Sequence, residues 1–306
     1  MSSNNRIEWM SLILLILIGA FGIWTLLLIE PSGVGQTYNN TSLVNTTVNI
    51  TNSAPLITVI SLESPVNLVA YSNKTVYCNG TVFDYDNQSI TVNATLFISG
   101  QTSPESQDDG NNHYSNSNCS RIGTQNRSMP YSCTFNLRYY ADNQSSWICN
   151  MTAIDPLGAL ASNLSNYGAI NPLVAIKIPE LLDYGDLAVN SISNDVPANI
   201  TNAGNRNATI SVEGYGSTPA DGLAFTCDFG SIALNYERYN ATNGTTYALM
   251  TPLTGTTTQI QGFYVAHRSS ENSDSINSTY WKVQIPIGAG GVCTGKILFT
   301  ASDKGN

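Results

Sequence analysis

From Val76 the chain alternates. Val76, Cys78, Gly80 and Val82 are small or apolar, and Tyr77, Asn79, Thr81 and Phe83 stand between them. After the polar stretch DYDNQS the same period returns in Ile90, Val92, Ala94, Leu96 and Ile98, separated by Thr91, Asn93 and Thr95. Alternation of this length predicts two half-buried β-strands joined by a loop. WICNMTA repeats the phase, with Trp147, Cys149, Met151 and Ala153 facing one way and Asn150 and Thr152 the other. Later, a strand ends in Asn202-Ala203-Gly204-Asn205 and another follows with Ala208, Ile210 and Val212 inward. Asn and Gly tolerate positive φ, so this pair predicts a hairpin. The period is that of an all-β chain.

One segment breaks the pattern. Trp9 to Ile29 is an uncharged apolar run of about the twenty residues that cross a bilayer as a helix. Arg6 precedes it, and Glu30 and Pro31 follow, which keeps residues 1–8 in the cytoplasm. The run is longer than the apolar core of a cleaved signal and no Ala-x-Ala site follows, so an uncleaved signal anchor is expected, with the lipid bilayer as partner through residues 9–29. Residues 30–54 have little apolar periodicity and no cysteine and read as a glycosylated stalk, in which a short strand at Val44 to Ile50 fits the residues.

The six cysteines, Cys78, Cys119, Cys133, Cys149, Cys227 and Cys293, include no CxxC pair, so disulfides are the simpler reading than zinc. Cys78 and Cys149 fall on the buried faces of two predicted strands, with the spacing that pins the two sheets of an immunoglobulin-like sandwich. Between them, residues 99–133 are rich in Ser, Asn, Asp and Gly and read as a long surface loop that a Cys119–Cys133 bridge would clamp. Cys227 and Cys293 are left to close the core of the second half. Six cysteines permit fifteen pairings, and their placement points to Cys78 with Cys149, Cys119 with Cys133 and Cys227 with Cys293.

Eighteen Asn-x-Ser/Thr acceptors run from Asn39 to Asn277, where this composition would give roughly seven by chance. Asn79, Asn93, Asn150 and Asn207 fall on the polar phase of predicted strands, and Asn199, Asn240 and Asn277 add to the second half. Sugar positions and core positions are in register. Charged residues are 11% of the chain against roughly 25% in an ordinary soluble protein, so solubility comes from neutral polar groups. With a net charge of -9 and twelve scattered Lys and Arg, no nucleic-acid partner is expected.

NGTVFDYDNQSITV, followed by WICNMTAIDPLGALAS, resembles the opening and closing strands of cadherin-like and PKD-like extracellular immunoglobulin-fold modules, through a G-x-V-x-D-x-D pattern early and A-x-D-x-x-G late. The turn at 202–205 is similar to that of sandwich domains common on archaeal envelope proteins, and YWKVQIPIGAGGVCTGKILFTA to their closing hairpin. Archaeal S-layer and related surface glycoproteins share the sequon density. The resemblance implies two tandem immunoglobulin-like β-sandwiches, at 55–172 and 173–306, behind a single N-terminal transmembrane helix.

Little in the chain points to catalysis. His113 and His267 lie outside HExxH or GxSxG contexts and read as solvated loop residues. The close acid pairs are Asp84 with Asp86, Asp108 with Asp109, Asp183 with Asp186, and Glu271 with Asp274, all in turn-like sequence. In a sandwich the loops after the second and sixth strands share an end, which would gather Asp84, Asp86, Asn87 and Asp155 as oxygen ligands for calcium; the plainer reading is good turn residues. No other cofactor is expected. The sequence therefore reads as a membrane-anchored extracellular glycoprotein, a structural or adhesive component of a cell envelope that binds other envelope proteins or glycans. A pilin-like filament subunit is the alternative, and a secreted glycan-binding protein or hydrolase a more distant one.

Overall fold

The computed structural model describes residues 43–123 and 127–305. The expected anchor at 9–29 and most of the expected stalk lie outside the described residues. Among the described residues no helix is long and apolar enough to cross a membrane. Residues 43–50 are exposed and form no strand, contrary to the expectation for Val44 to Ile50. A lone strand has no neighbouring ladder to satisfy its backbone.

From Ile50 onward the chain folds as one compact all-β unit around two hydrophobic cores. The first core lies among eight strands: β1 (Leu56–Leu62), β2 (Asn73–Phe83), β3 (Thr91–Ile98), β4 (His113–Asn116), β5 (Ser120–Arg121), β6 (Ser128–Arg138), β7 (Trp147–Ile154) and β8 (Leu160–Leu164). They form two antiparallel sheets, ordered β1-β2-β6-β5 and β4-β3-β7-β8. Val76, Cys78, Val82, Phe135 and Leu137 of one sheet share a core with Val92, Leu96, Ile98, Trp147 and Met151 of the other. The alternation read from the sequence is the alternation of burial. Gly80 takes an inward position because a Cβ there would lie 2.5 Å from the Met151 sulfur.

β2 and β3 are the two half-buried strands joined by a loop that the alternation predicts, whereas the expectation of a long loop over 99–133 fails. β2 and β3, consecutive in sequence, belong to opposite sheets, so residues 84–90 cross between layers. The partner of β2 is β6, which pairs with it from Phe83↔Ser128 to Asn73↔Arg138 and begins inside the stretch expected to be loop. Met129, Tyr131, Cys133, Phe135 and Leu137 are all buried on β6, at period 2. The polar residues of 99–127 masked that period's start. Part of that stretch, residues 104–116, also packs on the first half: Phe97, at an outward phase of β3, is buried beside His113 across the β3–β4 ladder.

The second core is held by β9 (Ile176–Lys177), β10 (Val196–Asn202), β11 (Ala208–Tyr215), β12 (Leu223–Phe229), β13 (Ser231–Ala233), β14 (Glu237–Asn240), β15 (Thr251–Pro252), β16 (Thr258–Val265), β17 (Ile276–Val283), β18 (Gly290–Thr294) and β19 (Lys296–Asp303). The sheets are β15-β14-β17-β10-β9, β16-β11-β19 and β13-β12-β18. Ala208, Ile210 and Val212 point into the core as expected. The hairpin does not form, because β10 pairs with β17 and β9 while β11 pairs with β16 and β19. Residues 203–207 instead carry the chain from one sheet to another. Gly204 is required by close approach and not by a positive φ: a Cβ there would sit 2.1 Å from the Leu173 carbonyl oxygen. The expected closing hairpin also opens out, with β17, β18 and β19 in three different sheets.

The crossing at 203–207 also fastens the two cores together. The buried Asn205 side chain donates to Ala141 O at 2.9 Å and Asn171 O at 3.2 Å, and accepts from Leu173 N at 2.6 Å. Arg268 lies over the Tyr140 ring at 4.6 Å and donates to the Tyr139 hydroxyl, while Glu271 pairs with Arg138 at 3.1 Å.

Candidate functional site

Three disulfides are formed, Cys78–Cys149, Cys119–Cys133 and Cys227–Cys293. Cys78–Cys149 joins the two sheets of the first core, where both residues are fully buried. Its sequence separation of 71 gives it a chain-entropy value of about 4 kcal/mol. Cys119–Cys133 ties the segment before β5 to β6. Cys227–Cys293 does not close the second core as expected. It links directly opposed residues of β12 and β18, both only half-buried, and neither belongs to that core. Its strands pair with each other and with β13, apart from the sheets that hold the second core.

The sequons divide by orientation. Asn79 is exposed on β2, and Asn93 and Asn150 are half-exposed on the outer faces of β3 and β7. Asn93 lies opposite Thr152 and Thr95 opposite Asn150, so the two acceptor triplets run antiparallel, each asparagine facing the other's threonine. Asn199 is exposed on β10, and its side-chain oxygen accepts from Ser278 Oγ at 2.7 Å. On β14 the Asn240 oxygen accepts from Thr242 N at 2.8 Å, and on β17 the Asn277 amide donates to Tyr264 O at 2.9 Å. Asn207 is not on a strand face. It precedes β11, its oxygen accepts from His267 N at 2.9 Å and its amide donates to Gly305 O at 3.4 Å.

The acids read as calcium ligands are linked through other residues, and Asp84 Oδ1 is buried without a hydrogen-bond partner among the described residues. Residues 52 and 53 belong to the folded unit and not to a stalk, and they come between the carboxylates. Asn52 donates to Asp155 Oδ2 at 2.9 Å and accepts from Gln88 Nε2 at 3.0 Å; Ser53 N donates to Asp86; Gln88 N donates to Asp84. Asp155 Oδ1 also accepts from Leu157 N and Ala159 N, shaping the β7–β8 turn. Burial works against charge on Asp155, and the Asn52 amide with the Ala159, Leu157 and Gly158 N–H groups outweighs it, holding the carboxyl below the ordinary aspartate value. Asn87 is exposed. Among the described residues no three His, Cys, Asp or Glu side chains converge as metal ligands.

Several other polar groups weighed in the sequence are also engaged. His113 is buried, not solvated, with Nδ1 2.9 Å from Asp108 Oδ1 and Nε2 3.3 Å from Pro104 O. Asp109 Oδ1 accepts from the N–H groups of Asn111, Asn112 and His113, and Asp183 from Gly185 N. Asp274 pairs with Arg268 at 2.6 Å.

A different acid stands out in the structure. Glu237 is 2% exposed at the start of β14, and Oε1 accepts from the Tyr184 hydroxyl at 2.6 Å. Burial pushes its carboxyl up to about 7 against the pull of that hydrogen bond. Burial and the neighbouring Glu237 raise the Tyr184 phenol as well. The only sequence sign of this site is a Glu at the same phase as the inward Tyr239.

No family model and no curated protein matches this chain. Among solved structures it is similar to the C-terminal domain of the AgI/II polypeptide BspA of Streptococcus agalactiae, at 10% identity and a TM-score of 0.23, over 82% of this chain and 96% of that one. A second structure, BspA_C_WT, gives 10% identity and a TM-score of 0.22, over 80% and 92%. A likeness at this TM-score carries no argument about role.

Proposed function

We propose that this chain is a membrane-anchored extracellular glycoprotein, a structural or adhesive component of an archaeal-type cell envelope, and not an enzyme. Residues 9–29 would anchor it, and two immunoglobulin-like modules would stand outside the membrane. The observation that supports this most is register. On β2, β3, β7 and β10 the acceptors Asn79, Asn93, Asn150 and Asn199 take positions directed away from the core, while apolar residues or cysteines take the inward ones. Exposed sheet is a template for unwanted strand pairing, which proteins ordinarily blunt with charge. With 11% charged residues, this surface would rely on sugars instead. Other envelope proteins or glycans are the expected partners.

The test is intact mass and N-terminal sequencing of the native protein from fractionated cells. The expected result is a membrane-bound, glycosylated chain that retains Met1. A protein released into the medium with its N-terminus near Ser32 to Gln36, or one whose outward asparagines are all unmodified, would overturn the reading.

A further inference from the structure

We infer that the cavity beside Glu237 binds a primary alkylammonium group, with the Glu237 carboxylate as its anchor and aromatic rings as its walls. The cavity has a volume of about 310 Å³ and lies between the segment 178–184 and the strands β11, β12, β14 and β19. Its size is at the lower end of the range for ligand sites, roughly 300–1,000 Å³. Tyr184, Tyr215, Phe225 and Phe299 contribute rings, and Glu237 contributes its carboxyl.

The chemistry of the walls selects the ligand. A carboxylate removed from water is costly unless a cation or several donors meet it. Among the described residues Glu237 has one donor, the Tyr184 hydroxyl, and no salt bridge. The electron-rich faces of Tyr and Phe attract cations, and one cation already lies against this wall, with Lys296 Nζ 5.8 Å from the Tyr215 ring centre. Glu180, Glu237 and Lys296 are the charged residues of the lining, two negative and one positive, which leaves the cavity net negative.

Two features favour a primary ammonium. A guanidinium pairs best with both oxygens of a carboxylate, and Oε1 is already taken by Tyr184. A quaternary ammonium has no N–H to give the carboxylate. An alkyl chain behind the charge would lie against Leu182 and Ile297. The competing role for Glu237 is purely structural, pinning 178–184 through Tyr184.

The experiment is calorimetric titration of the full-length chain in detergent micelles at pH 8 with n-butylammonium chloride, and in parallel with 1-butanol as the neutral isostere. Saturable binding of n-butylammonium is expected, with 1-butanol weaker by about tenfold or more, as befits loss of a charged hydrogen bond. Glu237→Gln should weaken n-butylammonium binding to the level of 1-butanol, and Tyr215→Leu should weaken it several-fold, which gives a second readout should Glu237→Gln fail to fold. Absence of saturable binding, equal affinity for the two probes, or unchanged affinity in a folded Glu237→Gln protein would overturn the inference and leave the pinning role.

Discussion

Cys78 and Cys133 stand directly opposite each other on β2 and β6, both fully buried, and are not bonded to each other. Cys78 reaches across the core to Cys149, and Cys133 reaches to Cys119. Opposed residues in an antiparallel ladder have Cα atoms about 4.5–5.5 Å apart, which is within disulfide range. The native pairing is therefore chosen by the packing of the second sheet and not by proximity alone.

Removing Cys149 should release that choice. When the Cys149→Ala protein is refolded from the reduced state in a glutathione buffer, the Cys78 thiolate can attack the Cys133 sulfur of the Cys119–Cys133 bridge, forming Cys78–Cys133 and expelling Cys119 as a thiolate. Non-reducing peptide mapping should find a Cys78–Cys133 peptide and a free Cys119. Finding only Cys119–Cys133 with a free Cys78 thiol would show that the segment before β5 fixes its bridge independently.

Cys227–Cys293 should be the first bridge to open under mild phosphine treatment of the native protein, because its residues are half-buried while those of the other bridges lie in the core. Alkylation and mass spectrometry would report label on Cys227 and Cys293 before any other cysteine. The near-ultraviolet spectrum should change little, since the second core does not contain this pair. Label appearing first at Cys78 or Cys149 would contradict the burial order.

Glu237 should make stability fall with rising pH. Its folded carboxyl titrates at about 7 against an ordinary value of 4.5, so the folded state holds the proton more tightly than the unfolded state. The resulting advantage is complete below about pH 4.5, is lost progressively up to about pH 7, and amounts to on the order of 3 kcal/mol. Urea unfolding at pH 5 and pH 8 would measure it. Glu237→Gln, which removes the charge and keeps a polar group beside Tyr184, should flatten this dependence and raise stability at pH 8; an unchanged pH profile would show that Glu237 does not titrate in this window.

The crossing at 203–207 makes two demands that can be separated. Asn205→Ala leaves three backbone groups without their side-chain partner and should cost on the order of 3 kcal/mol in chemical unfolding. Two residues on, Asn207 should be unmodified in the native protein, because its amide group is held between His267 and Gly305, while Asn79, Asn93, Asn150 and Asn199 carry sugar. Site-by-site glycopeptide mass spectrometry checks this, and sugar at Asn207 at the level of the other four would mean that the contact with His267 does not form.

The sequence by itself determined which residues face inward. Val76, Cys78 and Val82, Ile90 to Ile98 at every second position, Trp147 to Ala153, and Ala208 to Val212 are buried in the phase their alternation gives, because a strand has two faces and one of them must leave water. The asparagines between them are outward for the same reason. Partners were decided only by tertiary structure. Nothing local distinguishes a hairpin from a crossing, so β2 with β6, β10 with β17 and β11 with β19 depend on how whole sheets cover each other's apolar faces. Burial of polar residues was not legible either: His113 is buried in its own turn against Asp108, Pro104 and Phe97, and Glu237 is buried beneath Tyr184 of a distant segment. The surroundings of Asp86 and Asp155 were likewise decided by residues 52 and 53, more than thirty positions upstream: Ser53 N donates to Asp86 and the Asn52 amide to Asp155, contacts that no local pattern in the sequence announces.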